Sequence, residues 1–394
     1  MNGERRAFTG CEIFDGGRRH ADAALLVEGG RVAGVLRDAD IPGGFRKIRL
    51  DGGLIAPGFV DLQVNGGGGV MLNDEQSVEA LDRICRAHRQ FGTTSLLATL
   101  ITDTKDTTAA AVRAVTDAIA QRIDGVVGLH LEGPHLSLAR KGAHDPALIR
   151  PMDDGDFALV SGAAGAMPSL MITVAPETVA PDRIADLAAA GAVVSLGHSD
   201  AGFDAARQAA ASGASCVTHL FNAMSQLGNR EPGLVGAALA TGGLSAGLIA
   251  DGFHVDPATI GIALRAKTDP GKIFLVTDAM STIGTDAAGL CLNGRRIRRE
   301  GGRLTLEDGT LAGADLDMIS AVRFMVERIG VPVDEALRMA SLYPARVLKR
   351  ENEIGRLAPG ARADFLRLDT ELRLLNVWCG GVEFPVSGQP AAIV

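Results

Sequence analysis

The sequence predicts an α/β protein: a (β/α)8 TIM-like barrel joined to a small β-sandwich domain built from both ends of the chain. Three observations predict it. Apolar β runs alternate with Ala-rich helical stretches through the middle of the chain, both ends read as short strands with tight turns, and acidic and imidazole side chains gather where the middle runs stop.

Taken in order, residues 7–53 come first. Ala24-Leu25-Leu26-Val27 and Arg31-Val32-Ala33-Gly34-Val35 flank Gly29-Gly30, a hairpin signal. Eight β runs follow, at 54–64, 93–100, 126–132, 170–175, 192–197, 214–219, 244–251 and 272–278. Helical stretches such as 78–91, 107–123, 181–190 and 204–212 lie between them. Eight strands, each followed by a helix, are the barrel count. An open doubly wound sheet competes, but no Gly-x-Gly-x-x-Gly follows the first run. Segment 289–313 breaks the alternation and reads as a hairpin with an Asn293-Gly294 turn, set over the barrel mouth as a lid or an inert excursion. From Gly355 onward the chain returns to β runs. The expected division is a β domain from 1–54 and 353–394, and a barrel at 55–352 with the hairpin inserted.

Composition narrows the function classes. Of 394 residues 46% are apolar, enough for a core and too many for disorder. A net charge of −8 argues against nucleic acid or an anionic membrane as partner. Arg295, Arg296, Arg298 and Arg299 are a local exception, read as one solvated hairpin. No stretch of about 18 or more apolar residues occurs, so no transmembrane helix is expected. The first residues carry no apolar signal-peptide core, so a cytoplasmic protein is expected. Five scattered cysteines without a Cys-x-x-Cys pair fit reduced, mostly buried thiols.

Barrel enzymes place their chemistry at the C-terminal strand ends. Here those ends carry Asp61, Gln63 and Asn65 (first run), His130 and Glu132 (third), His198 (fifth) and His219 (sixth). Asp251 with His254 follows the seventh, and Asp278 ends the eighth. A lone strand histidine is usually a satisfied core residue; their joint placement points elsewhere. Glu132, His198 and His219 would face one mouth as an open site for zinc or a similar divalent ion. Asp278 would stand opposite as a general base, and alternatively could simply cap the next turn. Asn222 and Ala223, with Arg230 before a helix start, suggest an anion site suited to phosphate, though Arg230 could instead pair with Glu231. His144 lies on the long loop after the third run and is placed to reach over the mouth. His135 in the same loop reads equally as a surface residue, and His20 and His88 as non-functional. The glycines at 66–69 would permit close packing around the mouth.

Several blocks together resemble the amidohydrolase superfamily and, within it, the N-acetylglucosamine-6-phosphate deacetylase family. They are Ala56-Pro57-Gly58-Phe59-Val60-Asp61, His130-Leu131-Glu132-Gly133-Pro134, Gly197-His198-Ser199 and Thr218-His219-Leu220-Phe221-Asn222-Ala223-Met224. Arg230-Glu231-Pro232-Gly233, Asp251-Gly252-Phe253-His254, Leu275-Val276-Thr277-Asp278-Ala279, Leu311-Ala312-Gly313 and Gly355-Arg356-Leu357-Ala358-Pro359-Gly360 continue the series in order.

The resemblance implies an amidohydrolase-type barrel that hydrolyses the acetamide of N-acetyl-D-glucosamine 6-phosphate to glucosamine 6-phosphate and acetate. It implies one divalent ion per subunit on Glu132, His198 and His219, zinc first and iron(II) second, with Asp278 as base and then acid. His144 would orient the acetyl carbonyl, while His254, Arg230, Asn222 and Ala223 would contact the sugar and its phosphate. Leu311, Ala312 and Gly313 would cover the acetyl end, and a homodimer is expected. Many superfamily members carry His-x-His where this chain has Gln63-Val64-Asn65. Amide side chains are poor ligands for zinc, so a single ion is expected, with Gln63 and Asn65 left for hydrogen bonding. The rival readings are the galactosamine epimer of the substrate, a cyclic-amide hydrolase of the same superfamily, and a catalytically dead sugar-phosphate-binding regulator.

Overall fold

Eight parallel strands in chain order form one sheet in the computed structural model, which describes residues 4–292 and 294–386. They are β1 (Phe59–Val64), β2 (Thr93–Ile101), β3 (Val126–Glu132), β4 (Leu170–Val174), β5 (Val193–Leu196), β6 (Cys216–Val217), β7 (Ser245–Leu248) and β8 (Ile273–Leu275). The ring closes just past β8. There the Asp278 N–H donates to the Gln63 carbonyl at 3.0 Å, and Ala279 bridges to Val64. Every residue of β1 to β4 is buried, as expected for a parallel sheet enclosed by helices. The predicted barrel is therefore present.

Its helices begin where local chemistry allows. Ser77 accepts the Ala80 N–H at the start of Val78–Arg89, and Asp153 and Asp156 form a capping box on Asp154–Ala166. Pro181 and Pro257 occupy first helical positions, where no N–H is needed. Apolar faces including Leu81, Ile84, Ile184 and Leu187 then pack on the barrel wall.

The run at 54–64, read above as one strand, is two. Leu54–Pro57 pairs with Glu12–Phe14 and Phe365–Leu368, and only Phe59–Val64 enters the barrel. Gly58 makes the crossing. Its N–H donates to the Asp364 carbonyl at 3.0 Å, and a Cβ there would lie 2.1 Å from Thr94 Oγ1, so no side chain fits.

Leu54–Pro57 belongs to a six-stranded sheet with Glu12–Phe14, Arg19–His20, Phe365–Leu368, Leu374–Cys379 and Val382–Phe384. A four-stranded sheet of Arg5–Thr9, Ala23–Glu28, Arg31–Arg37 and Arg46–Arg49 packs on it. Between them Phe8 meets Phe365 and Trp378 edge-on at 4.9 and 5.5 Å, and Phe365 stacks on Trp378 at 4.5 Å. Such aromatic pairs contribute about 1 kcal/mol each beyond the area they bury. The expectation of a terminal β unit reaching residue 394 extends over 387–394, which lie outside the described residues, as does Asn293 of the expected turn.

The expected hairpin at 289–313 is larger than a hairpin. Gly289–Leu292, Arg295–Glu300, Arg303–Thr305 and Leu311–Ala314 form a four-stranded antiparallel sheet. Leu292, Ile297, Leu304 and Ala312 pack against Met71, Ile101 and Met280 at the barrel mouth. The arginine cluster is only half solvated. Arg296 and Arg298 are exposed, whereas Arg295 donates to the Ala143 carbonyl and Arg299 pairs with Asp315 at 2.7 Å. Of the five cysteines, all but Cys291 are buried. Among the described residues no helix is long and apolar enough to cross a membrane.

Candidate metal centre and active site

Glu132 ends β3, while His198 and His219 lie just past β5 and β6. All three are buried. Glu132 Oε1 stands 3.3 Å from His198 Nε2 and 3.0 Å from His219 Nε2, and the two Nε2 atoms are 3.0 Å apart. The Arg140 carbonyl, 2.9 Å from His198 Nδ1, can only accept, so Nδ1 carries a proton and Nε2 is the nitrogen turned toward Glu132 and His219. Burial would raise Glu132, but His198 and His219 hold it well below the usual carboxylate range. Burial pulls His219 down, and Glu132 outweighs that and raises it. Two imidazole nitrogens and an ionised carboxylate, within 4.8 Å of one another, call for positive charge between them. Two nitrogens and one oxygen, with one side open to a cavity, fit a divalent ion.

Asp278 faces this group. Its Oδ1 accepts Asn65 Nδ2–H at 2.7 Å and Gln63 Nε2–H at 3.0 Å, and Gln63 Nε2 also reaches Glu132 Oε1 at 2.9 Å. Burial, reinforced by the charge of Glu132, pushes Asp278 up to about 6. A buried carboxyl facing the group in this way is placed to take up a proton and give it back. His198, His219 and Asp278 all have left-handed backbones, with φ of 47°, 29° and 52°. Such residues cost about 1 kcal/mol or more each and persist only where the surroundings dictate them.

The cavity above measures about 390 Å³. Asn65, His144, Asn222, Ala223, His254, Leu311, Ala312 and Gly313 line it together with Glu132, His198, His219 and Asp278. Gln63 sits behind, between the two carboxylates. Burial, reinforced by His198, pushes His144 down to about 3, so its ring is neutral.

A model of the amidohydrolase family matches residues 54–388. The chain belongs to that family. It is 40% identical to the N-acetylgalactosamine-6-phosphate deacetylase of Shewanella sp. (strain ANA-3), over 94% of each chain. It is 34% identical to the N-acetylglucosamine-6-phosphate deacetylase of Haemophilus influenzae, over 91% of this chain and 93% of the other. The crystal structure of the N-acetylglucosamine-6-phosphate deacetylase from Pasteurella multocida superposes with a TM-score of 0.92 at 34% identity, covering 97% of this chain and all of that one.

In this amidohydrolase Arg230 is exposed and lies outside the cavity lining. The helix start beside it is closed to an anion, because Glu231 Oε1 takes the Gly233 N–H at 2.9 Å and Ser225 Oγ the Leu234 N–H at 2.7 Å. The anion site read around that helix start is thus corrected: its N–H groups are already satisfied. Glu231 also bonds the Phe203 N–H rather than pairing with Arg230. His135, read equally as a surface residue, is buried with Nδ1 3.0 Å from the Arg150 carbonyl.

Two residues beside the amidohydrolase cavity were not singled out from sequence as partners of its histidines. Asp251 Oδ2 lies 2.6 Å from His254 Nδ1, and Asp251 Oδ1 takes the N–H groups of Phe253 and His254 at 2.8 and 2.9 Å. The carboxylate fixes the ring with Nε2 free; the Asp-x-x-His spacing was the available signal. Thr102, bonded to His144 Nδ1 at 2.7 Å, left none.

Proposed function

We propose that this amidohydrolase is a cytoplasmic, metal-dependent deacetylase that converts N-acetyl-D-glucosamine 6-phosphate to D-glucosamine 6-phosphate and acetate, in amino-sugar catabolism or cell-wall recycling. The observation that carries this reading is the Glu132, His198 and His219 group opposite Asp278 in one cavity.

Glu132, His198 and His219 would hold a divalent ion, zinc first and iron(II) second, which would supply Lewis acidity and lower the pKa of water towards ~7. Asp278 takes the proton of the attacking water and returns it to the amine nitrogen as the C–N bond breaks. Gln63 and Asn65 hold Asp278 Oδ1 and leave Oδ2 for the proton. His144 donates to the acetyl carbonyl oxygen, where negative charge develops. His254 hydrogen-bonds the sugar, and Leu311, Ala312 and Gly313 cover the acetyl end. Asn222 and Ala223 contact the phosphate, whose binding energy holds the acetamide in place from a distance. Arg230 is exposed and outside the lining of its own cavity, and we assign it to the phosphate of a neighbouring subunit in a homodimer.

The 40% identity to the Shewanella enzyme favours a second substrate, N-acetyl-D-galactosamine 6-phosphate, which differs at one hydroxyl. Acetate release from both sugars, with and without the 6-phosphate, tests the reading alongside elemental analysis of the purified protein. The gluco phosphate should give the higher kcat/KM. A higher value for the galacto epimer would establish the second reading. Indifference to the phosphate, or full activity of ion-free protein, would defeat both.

A further inference from the structure

Thr102 follows β2 and is 1% exposed. Its hydroxyl lies 2.7 Å from His144 Nδ1, and its backbone N–H donates to the same nitrogen at 3.3 Å. A backbone N–H has only a proton to offer, so His144 Nδ1 presents a lone pair and the neutral ring carries its proton on Nε2. Nε2 lies 3.7 Å from Glu132 Oε2, and the ring stands edge-to-face to His198 with centroids 4.3 Å apart. The other tautomer would set Nδ1–H against an N–H and turn a lone pair toward the reacting groups.

We propose that Thr102 is a positioning residue for acetamide hydrolysis: it fixes His144 as the Nε2–H tautomer, so that the ring offers a proton to the acetyl carbonyl oxygen. The role rests on the reaction proposed above; the tautomer rests on hydrogen bonds alone. Thr102 is built into its place. The same hydroxyl lies 3.4 Å from the Glu132 carbonyl, a longer and competing acceptor for its one proton, which goes to His144 Nδ1 at 2.7 Å. Gly133 has φ +90°, and a Cβ on it would lie 2.3 Å from Thr102 Oγ1. The glycine after Glu132 is thus the space that the hydroxyl occupies. One side chain thereby registers the loop carrying His144 against the strand carrying Glu132.

Thr102→Val keeps the shape and the backbone N–H and removes the hydroxyl. In the metal-loaded enzyme kcat should fall about tenfold to a hundredfold, the usual cost of losing an orienting partner. KM and bound-ion content should stay near wild type, and Thr102→Ser should restore most of the loss. The second readout is 15N NMR of histidine-labelled enzyme, with His144 assigned by its absence in His144→Gln. Wild type should show protonated Nε2 and bare Nδ1, and Thr102→Val a mixture of tautomers. A proton on Nδ1 in wild type would overturn the proposal. So would Thr102→Val at wild-type kcat, or at reduced kcat with the pure Nε2–H signal. Wild-type enzyme that releases no acetate, yet shows the Nε2–H signal, would overturn the substrate reading and Thr102's part in that reaction while leaving the tautomer in place.

Discussion

Two polar clusters lie inside the barrel, one beneath the other, and both are buried. In the lower one His130 Nε2 meets Thr173 Oγ1 at 2.8 Å, Thr173 meets Thr218 at 2.7 Å, and Thr218 meets Ser195 at 2.6 Å. Each hydroxyl there can donate to its neighbour, and burial keeps His130 neutral by pushing it down to about 4. In the upper one, two imidazole nitrogens and a carboxylate converge on each other. Asn65 Oδ1 and His219 Nδ1 there have no partner among the described residues. Burial and histidine content do not separate a scaffold from a site. Convergence without mutual satisfaction is what sets the two apart here, because each unpaired buried polar group calls for an explanation and in the upper cluster two of them flank converging ligand atoms.

The largest effect should come from the ion. Chelation should reduce acetate release to background and added zinc restore it, while His130→Gln keeps its ion content; undiminished activity in ion-free protein would erase the distinction between the clusters. Next comes Asp278→Asn, expected to lower kcat on the order of a thousandfold while the sugar phosphate still binds in a calorimetric titration. Normal turnover would remove Asp278 from the chemistry.

Thr173→Val probes the lower cluster instead. It strips a partner from both His130 and Thr218, and the unfolding free energy in a denaturant titration should drop by about 1–3 kcal/mol. Turnover per folded molecule should barely change. A loss on the order of a hundredfold in kcat at unchanged stability would make this layer part of the chemistry.

The smallest effect concerns His88, which sharpens the distinction because one of its atoms is also unpaired. Nε2–H donates to the Gly66 carbonyl at 2.9 Å, and Nδ1 is buried without a partner. Burial pushes its pKa down from 6.5 to about 4. The unfolded chain therefore binds the extra proton first as pH falls. The stability tied to neutral His88 is complete above pH 6.5 and is lost as pH falls from there through about 4. His88→Gln keeps a donor without titrating, so its unfolding free energy should fall less steeply across that window, by at most about 1.4 kcal/mol per pH unit. Identical slopes would show that the lone orphan carries no charge penalty.

Much of the site was readable because its chemistry resides in residue types at regular places. Glu132, His198, His219 and Asp278 terminate separate apolar runs, and the alternation of runs and helices brings such ends to one mouth. Gln63 and Asn65 followed from their place at the end of the first run. Other features were not readable because their partners are distant in the chain. The arginine run looked like one solvated face, yet Arg299 bonds to Asp315 and Arg295 to Ala143. Arg230 looked like part of a helix-start anion site, yet Glu231 and Ser225 had already consumed the N–H groups.

What the chain alone determined is whatever periodicity can carry: the count and order of barrel strands, the β character of both ends, and the donor types at the mouth. Those properties depend on neighbours a few positions away. Tertiary structure decided which apolar run splits at Gly58, which histidine is scaffold and which faces the cavity, and which nitrogen of His144 bears the proton. Each of those turns on a hydrogen bond or steric contact between segments tens of residues apart, and only the closed barrel brings such segments within 3 or 4 Å.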